Sequence, residues 1–497
     1  AGHAGDRGSR GVTELKSTYF AALFLIITAA TPLSAQRRVL SGADSVLVGR
    51  ILLAEDRRDS TDAALALGQR HADTRIRLLA VRAAARTRDS AFATRDSLPP
   101  LREPKRWPNV AWRARYRSLK SQGDDCTAIR AALADRAWPV RLRGADLVTS
   151  ACAADNSLTS TLRNWIDALP ADVTRRNRGT VSWHAAAHAL VALSKLQPAE
   201  AATRLPKLAG HGQWQFRVYS ARAAAILADA ATLRILARDA NPNVAETAIE
   251  ALSKLTKHAD DDLFVTSLQR NEAQVVRVAA LALAGSPRED VITAANTAFD
   301  RWVSRANASE RDVRLALLAA SGRPGSDDRQ PPVRALLPPT AIALALGADL
   351  RLRVTMSPAS GGGSFTVRMR GDIAPIAAAR VVELADAGYY DGLVWHRVEH
   401  DFVIQGGSPG ANEYVGSDRY FRDELGTVPH ARGTVGMSTR GHDTGDAQWF
   451  VNLSYNPRLG QDYTVFAEVV ERMDVVDGIL EGDVIARISR IQYGLRR

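Results

Sequence analysis

Six stretches of this chain repeat one layout, and a repeat narrows the choice of fold more than any single motif does. ADTRIRLLAVRAAA (72–85), AWPVRLRGADLV (137–148), WQFRVYSARAAAIL (214–227), NPNVAETAIEAL (241–252), AQVVRVAALALA (273–284) and ERDVRLALLAAS (310–321) share it. Each passes from a polar break through a β-branched or aromatic residue, often followed by arginine, to small and aliphatic residues at helical spacing. The anchors Ile76, Val140, Phe216, Val244, Val276 and Val313, with further copies near Val110 and Trp183, stand 28 to 43 residues apart. One helix pair cannot bury its apolar stripe alone, so neighbours must stack. The pattern predicts an all-α array over 36–322 whose extended surface suits a protein or an extended peptide.

This array resembles the α-solenoids built from HEAT repeats. The resemblance implies that the arginine of the D-V-R and V-V-R triplets links successive repeats, a structural role. His184, His188 and His211 fall in this region without an accompanying carboxylate or cysteine cluster, and read as packing or surface residues. After Ser321 the texture changes. Pro324, Pro331, Pro332, Pro338 and Pro339 crowd residues 322–339, too many for helix or strand, which marks 323–345 as a linker. Beyond it the period becomes alternating. RLRVTM (351–356) and SFTVRMR (364–370) read as strands joined by a glycine-rich turn. AAARVVELADAGYYDG (377–392) reads as a helix stopped near Gly388, and VWHRV as another strand.

The N-terminal stretch GVTELKSTYFAALFLIITAATPLSAQ (11–36) follows a basic start and has an apolar run, Pro32 and small residues before Ala35. That is the layout of a secretory signal peptide over 1–35, cleaved after Ala35. The run is short of the roughly 20 apolar residues of a membrane span, so the expectation is an exported chain, periplasmic or extracellular, with no stable membrane insertion. The formal charge of +11 invites a nucleic-acid reading, but the arginines are scattered through helical segments and export removes access to DNA. Binding of an anionic envelope polymer is a weaker alternative. Cys126 and Cys152, the two cysteines of the chain, either pair as one disulfide or stay as separate buried thiols.

The stretch VWHRVEHDFVIQGG (394–407) contains His396-Arg397-Val398-Glu399-His400, which matches the H-x-x-E-H pattern of a zinc peptidase. That site needs both histidines one helical turn apart, each about 2 Å from the metal. Here Val, Ile, Phe and Trp favour a strand, on which His396 and His400 would share a face about 13 Å apart. No metal site is expected.

The same stretch is similar to the signature of the cyclophilin-type peptidyl-prolyl isomerases, through His396, Arg397, Val398, Phe402, Ile404, Gln405, Gly406 and Gly407. RGTVGMSTRGHDTGDAQWFVNLS (432–454) and NPRLGQDYTVFAEVVERMDVVDGI (456–479) resemble the family's second and third blocks, in order. The resemblance implies an eight-stranded antiparallel barrel with two capping helices over 346–497 and a site on its outer face. It also implies that Arg397 is the catalytic donor and that Gln405 orients it or the substrate carbonyl. Phe402, Val403, Phe450 and Leu459 then form the proline pocket with Met437 beside it. Gln448 lines the groove, Thr439 offers backbone contact, Tyr463 stands at an aromatic position and His396 supports the arginine. Arg458 replaces a tryptophan of eukaryotic members; Gly460, Gln461 and Trp449 are further departures.

The expected function is isomerisation of X-Pro bonds in exported proteins, with the helical array recruiting proline-containing clients and no cofactor. The alternative is a non-catalytic scaffold or chaperone that only captures proline segments.

Overall fold

The computed structural model describes residues 40–491 apart from 89–106, 123, 170–172, 174–182, 306–309, 324, 326–337, 348 and 427. The expected signal peptide over 1–35 and most of the expected linker lie outside these residues. No helix among the described residues is long and apolar enough to cross a membrane.

The N-terminal part is helical. It runs through α1 (Gly42–Asp56), α2 (Ala63–Gln69), α3 (Thr74–Arg88), α4 (Ala111–Ser118), α5 (Cys126–Leu133), α6 (Trp138–Leu147), α7 (Asn156–Asp167), α8 (Trp183–Leu196) and α9 (Pro198–Ala209). It continues through α10 (Trp214–Ile226), α11 (Ala230–Leu236), α12 (Pro242–Thr256), α13 (Asp261–Ser267), α14 (Ala273–Leu283), α15 (Glu289–Ser304) and α16 (Arg311–Ala320). The succession is consistent with a solenoid. Ile76, Val140, Phe216, Val244, Val276 and Val313 each sit in the first turn or so of their helix and are fully buried. Burial of the same position in successive helices is what stacking of neighbouring pairs requires. Arg217 of α10 reaches Asp239 before α12 at 2.7 Å, and Arg277 of α14 reaches Asp312 of α16 at 3.3 Å. A disulfide joins Cys126 to Cys152. His184 stacks on Trp183, His211 packs edge-on against Phe216, and His188 lies between Asp146 and Tyr219.

Helix α17 (Pro339–Gly347) occupies the end of the segment expected as linker. Its proline stands in the first turn, where the missing N–H costs no helical bond.

The C-terminal part is an eight-stranded antiparallel sheet curled into a near-barrel. Its strands are β1 (Arg351–Met356), β2 (Ser364–Met369), β3 (Val394–Val398), β4 (Val403–Ser408), β5 (Thr434–Met437), β6 (Trp449–Asn452), β7 (Val465–Glu471) and β8 (Ile485–Arg490). The order is β3-β4-β6-β5-β7-β2-β1-β8, and a bridge between Val394 and Val484 brings the two edges together. Helices α18 (Pro375–Asp386) and α19 (Met473–Asp477) cover its ends. Gly388, at φ +72°, turns the chain out of α18.

The barrel does not close its core alone. Its interior (Trp395, Trp449, Phe365, Phe466) is continuous with Ile376 and Ala377 of α18, Ile342 and Leu346 of α17, and Ile51, Ile76 and Leu79 of α1 and α3. Charged side chains pin the same junction. Buried Glu55 accepts from Arg86 and Arg422, each at 2.7 Å. Arg113 of α4, itself buried, donates to the Leu453 carbonyl at 2.7 Å and to Asp477 at 3.4 Å. Burial, then the neighbouring Arg432, lowers the Arg113 pKa to about 10.

Candidate functional site

The site begins with an irregularity in β3. Trp395 pairs with Gly406 and Arg397 with Gln405, so His396 is an extra residue on its strand. In a regular strand, positions two apart share a face. The bulge breaks that rule and re-aims a side chain: Trp395 fills the barrel interior while Arg397 stands on the outer face, 39% exposed. The histidine pair of the zinc reading also separates here. Strand β3 ends at Val398, so His400 lies in the following turn rather than on a shared face, where its ring packs edge-on against Trp112 and Tyr116 of α4. Among the described residues no group of three or more His, Cys, Asp or Glu could hold a metal ion.

From Arg397 the register carries a row of side chains across the sheet. Arg397 faces Gln405 on β4, Gln405 faces Phe450 on β6, and Phe450 faces Gly436 on β5. Gly436 has a local reason: a Cβ there would lie 2.3 Å from Cζ of Phe450, so only glycine lets that ring lie flat across β5. Phe450 meets Tyr463 edge-on at 5.9 Å and is stacked by His430 at 5.7 Å. The result is a cleft of about 150 Å³, walled by Arg397, Phe402 and Glu413 and floored by Val403 and Phe450. Gln405, Ser438, Thr439, Leu459 and Tyr463 complete its lining.

Sequence reasoning thus named eight of the lining residues, Arg397, Phe402, Val403, Gln405, Thr439, Phe450, Leu459 and Tyr463, and missed Glu413 and Ser438. Gln448 sits one layer back: it accepts from the Gln405 amide at 3.1 Å and donates to the Val415 carbonyl at 2.9 Å. Met437 alternates to the inner side of β5, opposite Trp449, and packs in the barrel core. Gln405 donates to Ser438 at 2.9 Å as well as to Gln448, and among the described residues its amide oxygen accepts nothing from Arg397, whose N–H groups go to Glu399 and Glu413.

Carboxylates hold the guanidinium instead. Nε and Nη2 of Arg397 donate to one oxygen of Glu399 at 2.9 and 2.6 Å, and Nη1 donates to Glu413 at 3.2 Å. Three of the five N–H groups of an arginine are thereby used, leaving one each on Nη1 and Nη2. Phe402 lies between two cations, 5.7 Å from Arg397 and 4.2 Å from Arg458.

Two histidines nearby stay neutral. His396 is pushed down to about 4 by burial and by the adjacent Arg397. His430 is pushed down to about 4 by burial. Its Nδ1 accepts from the Asn452 amide at 3.2 Å, so its Nε2–H donates to the Tyr463 carbonyl at 3.1 Å. A neutral ring therefore backs Phe450, and the floor of the cleft carries no charge. No sequence motif pointed to His430; the packing of the segment before β5 brings it against Phe450.

An apolar slot beside a fixed, hydrogen-bond-donating cation suits rotation about an X-Pro bond. That rotation faces roughly 18–20 kcal/mol of amide resonance and requires only preferential binding of the twisted form.

The family model described as cyclophilin type peptidyl-prolyl cis-trans isomerase/CLD matches residues 353–491. A peptidyl-prolyl cis-trans isomerase of Helicobacter pylori (strain J99) is 35% identical over 130 residues, 25% of this chain and 80% of its own length. The peptidyl-prolyl cis-trans isomerase-like 1 of Neurospora crassa is 34% identical over 136 residues, 26% of this chain and 80% of its own length. A crystal structure of a cyclophilin type peptidyl-prolyl cis-trans isomerase from Cryptosporidium parvum aligns with 29% of this chain and 99% of that one, at 21% identity and a TM-score of 0.27.

Proposed function

This chain belongs to the cyclophilin-type peptidyl-prolyl cis-trans isomerases, and from that premise we propose that Arg397 lowers the rotational barrier in proline-containing segments of exported proteins brought to it by the helical array. The observation that carries the reading is the in-register row Arg397, Gln405, Phe450 and Gly436, which sets a cation beside an apolar slot of proline size. Twisting the amide uncouples the nitrogen lone pair, which then accepts a hydrogen bond that the planar amide cannot. Arg397 is permanently charged and rigid in its donor geometry, and its two uncommitted N–H groups suit that nitrogen or the turning carbonyl. Phe450, Val403 and Leu459 hold the ring still while the rest of the peptide rotates.

Export is supported by the layout of residues 11–36 and by the Cys126–Cys152 disulfide, since such bonds persist mainly in oxidising compartments. Mass spectrometry of the mature chain should find Gln36 as its first residue; an intact 1–35 segment would contradict export by this route.

The full chain and its Arg397→Ala variant should be compared in an isomerisation assay on a proline peptide. Loss of one preorganised donor costs about 10²–10³ in rate, and equal rates in the two proteins would refute the assignment. The carboxylates on Arg397 favour one second reading, capture without catalysis, because they compete with substrate for its N–H groups. Wild type that binds the peptide without accelerating its exchange would support that reading.

A further inference from the structure

The loop that bears Glu413 is held by the helical array rather than by the barrel alone. Asn412 and Tyr414 flank Glu413, and both are tied to α12. The Asn412 amide donates to Asn243 at 3.1 Å, and the Asn243 amide donates back to the Gly410 carbonyl at 3.0 Å. Tyr414 donates its hydroxyl to Glu246 at 3.4 Å, and its ring lies under the Arg440 guanidinium at 4.2 Å. Arg440 pairs in turn with Asp312 of α16. Gln274 of α14 braces both anchors, donating to Asn243 at 2.7 Å and to Glu246 at 3.2 Å. Between these ties the loop adopts a conformation that needs holding: Ala411 stands at φ +51°, where a side chain is disfavoured. Glu413 itself is exposed, lines the cleft and bonds Nη1 of Arg397.

We infer that Asn243 and Tyr414 position the isomerase site through Glu413, so that the helical array completes the catalytic arginine's hydrogen bonding in addition to any client it carries. This rests on the assignment of Arg397 as the donor. Without Glu413 the guanidinium is held on the Glu399 side alone, and the planar group as a whole is freer to turn about its Cγ–Cδ and Cδ–Nε bonds. Misplacement of a reacting group by about 1 Å can cost 10²-fold in rate; a partial swing costs less. Glu413 acts as a hydrogen-bond acceptor, so the isosteric amide retains its effect.

The test is a double-mutant cycle on the full chain, with kcat and KM measured on a proline peptide and normalised to folded protein by circular dichroism. Glu413→Ala and Asn243→Ala should each lower kcat by about tenfold and leave KM within about twofold. Combined, they should do no worse than the stronger single change, because both act through one bond. Glu413→Gln should restore most of the lost kcat. If Asn243→Ala does not fold, Tyr414→Phe takes its place in the cycle. Multiplying effects, an unchanged kcat in the α12-side variant, or failure of Glu413→Gln to restore activity would each overturn the inference. Loss of kcat in Arg397→Ala, measured alongside, shows that the assignment of Arg397 stands even if that happens; an unchanged Arg397→Ala would sink the assignment itself.

Discussion

At the scale of single residues, the cleft depends on side chains that are missing as much as on those present. Gly436 is the clearest case, since Phe450 lies where a Cβ would be. Gly436→Ala should displace that ring, cost about 1–3 kcal/mol of overpacking, and raise KM for a proline peptide at temperatures where the variant is still folded. An unchanged KM would show that Phe450 is not the floor. His430 adds a pH dependence. Its folded pKa of about 4 lies below the usual histidine value near 6.5, so the unfolded chain binds the extra proton first. Its contribution to stability is therefore complete above about pH 6.5 and declines as pH falls toward 4. His430→Asn should flatten part of the acid limb in urea unfolding between pH 4 and 6.5. Arg397, Phe402, Gln405 and Phe450 were legible in the sequence through the resemblance to the cyclophilin signature, whose three blocks fall in order along this chain. Glu413, Ser438 and His430 were not: a long loop and the packing of segments distant in the chain bring the first two to the cleft and the third against Phe450, which local pattern does not specify.

At the scale of elements, the helical period was legible because a buried anchor recurs in the first turn or so of α3, α6, α10, α12, α14 and α16. β1 and the strand VWHRV were legible from alternation. The bulge at His396 and the end of β3 before His400 were not, since a single extra residue depends on the partner strand. Pairing of Cys126 with Cys152 was open for the same reason: it depends on how α5 meets the turn before α7. Reducing this bond, which spans a sequence separation of 26, should cost about 3 kcal/mol through loop entropy. The urea midpoint should fall with reductant, and an unmoved midpoint would contradict a structural role. On α12, burial pushes the Glu246 carboxyl up from 4.5 to about 7, against bonds from Gln274 and Tyr414 and the nearby Arg277. The folded chain then binds more protons than the unfolded between pH 4.5 and 7, so this contribution to stability shrinks as pH rises through that window and is level above it. Glu246→Gln should gain on wild type from pH 4.5 to 7, by at most about 3 kcal/mol, read from unfolding at several pH values.

At the scale of the whole molecule, the sequence separates an array, a linker and an isomerase region over 346–497, and leaves open whether the two regions pack together. The packing adds that the barrel core runs on through α17 into α1 and α3, and that Arg113, Arg82 and Arg422 join buried carboxylates across the same junction. Composition shows where texture changes, but not that a distant hairpin supplies apolar cover. A fragment of 346–497 should therefore melt lower than the full chain and bind a hydrophobic dye, whereas equal melting would show the barrel to be self-sufficient. The most direct measurement of the central claim is exchange NMR on an X-Pro peptide with catalytic amounts of the full chain. Arg397 is predicted to accelerate cis–trans exchange beyond the uncatalysed tens to hundreds of seconds, with Arg397→Ala still binding the peptide but leaving exchange near its uncatalysed rate. Equal exchange in the presence of wild type and variant, with both binding, would contradict it.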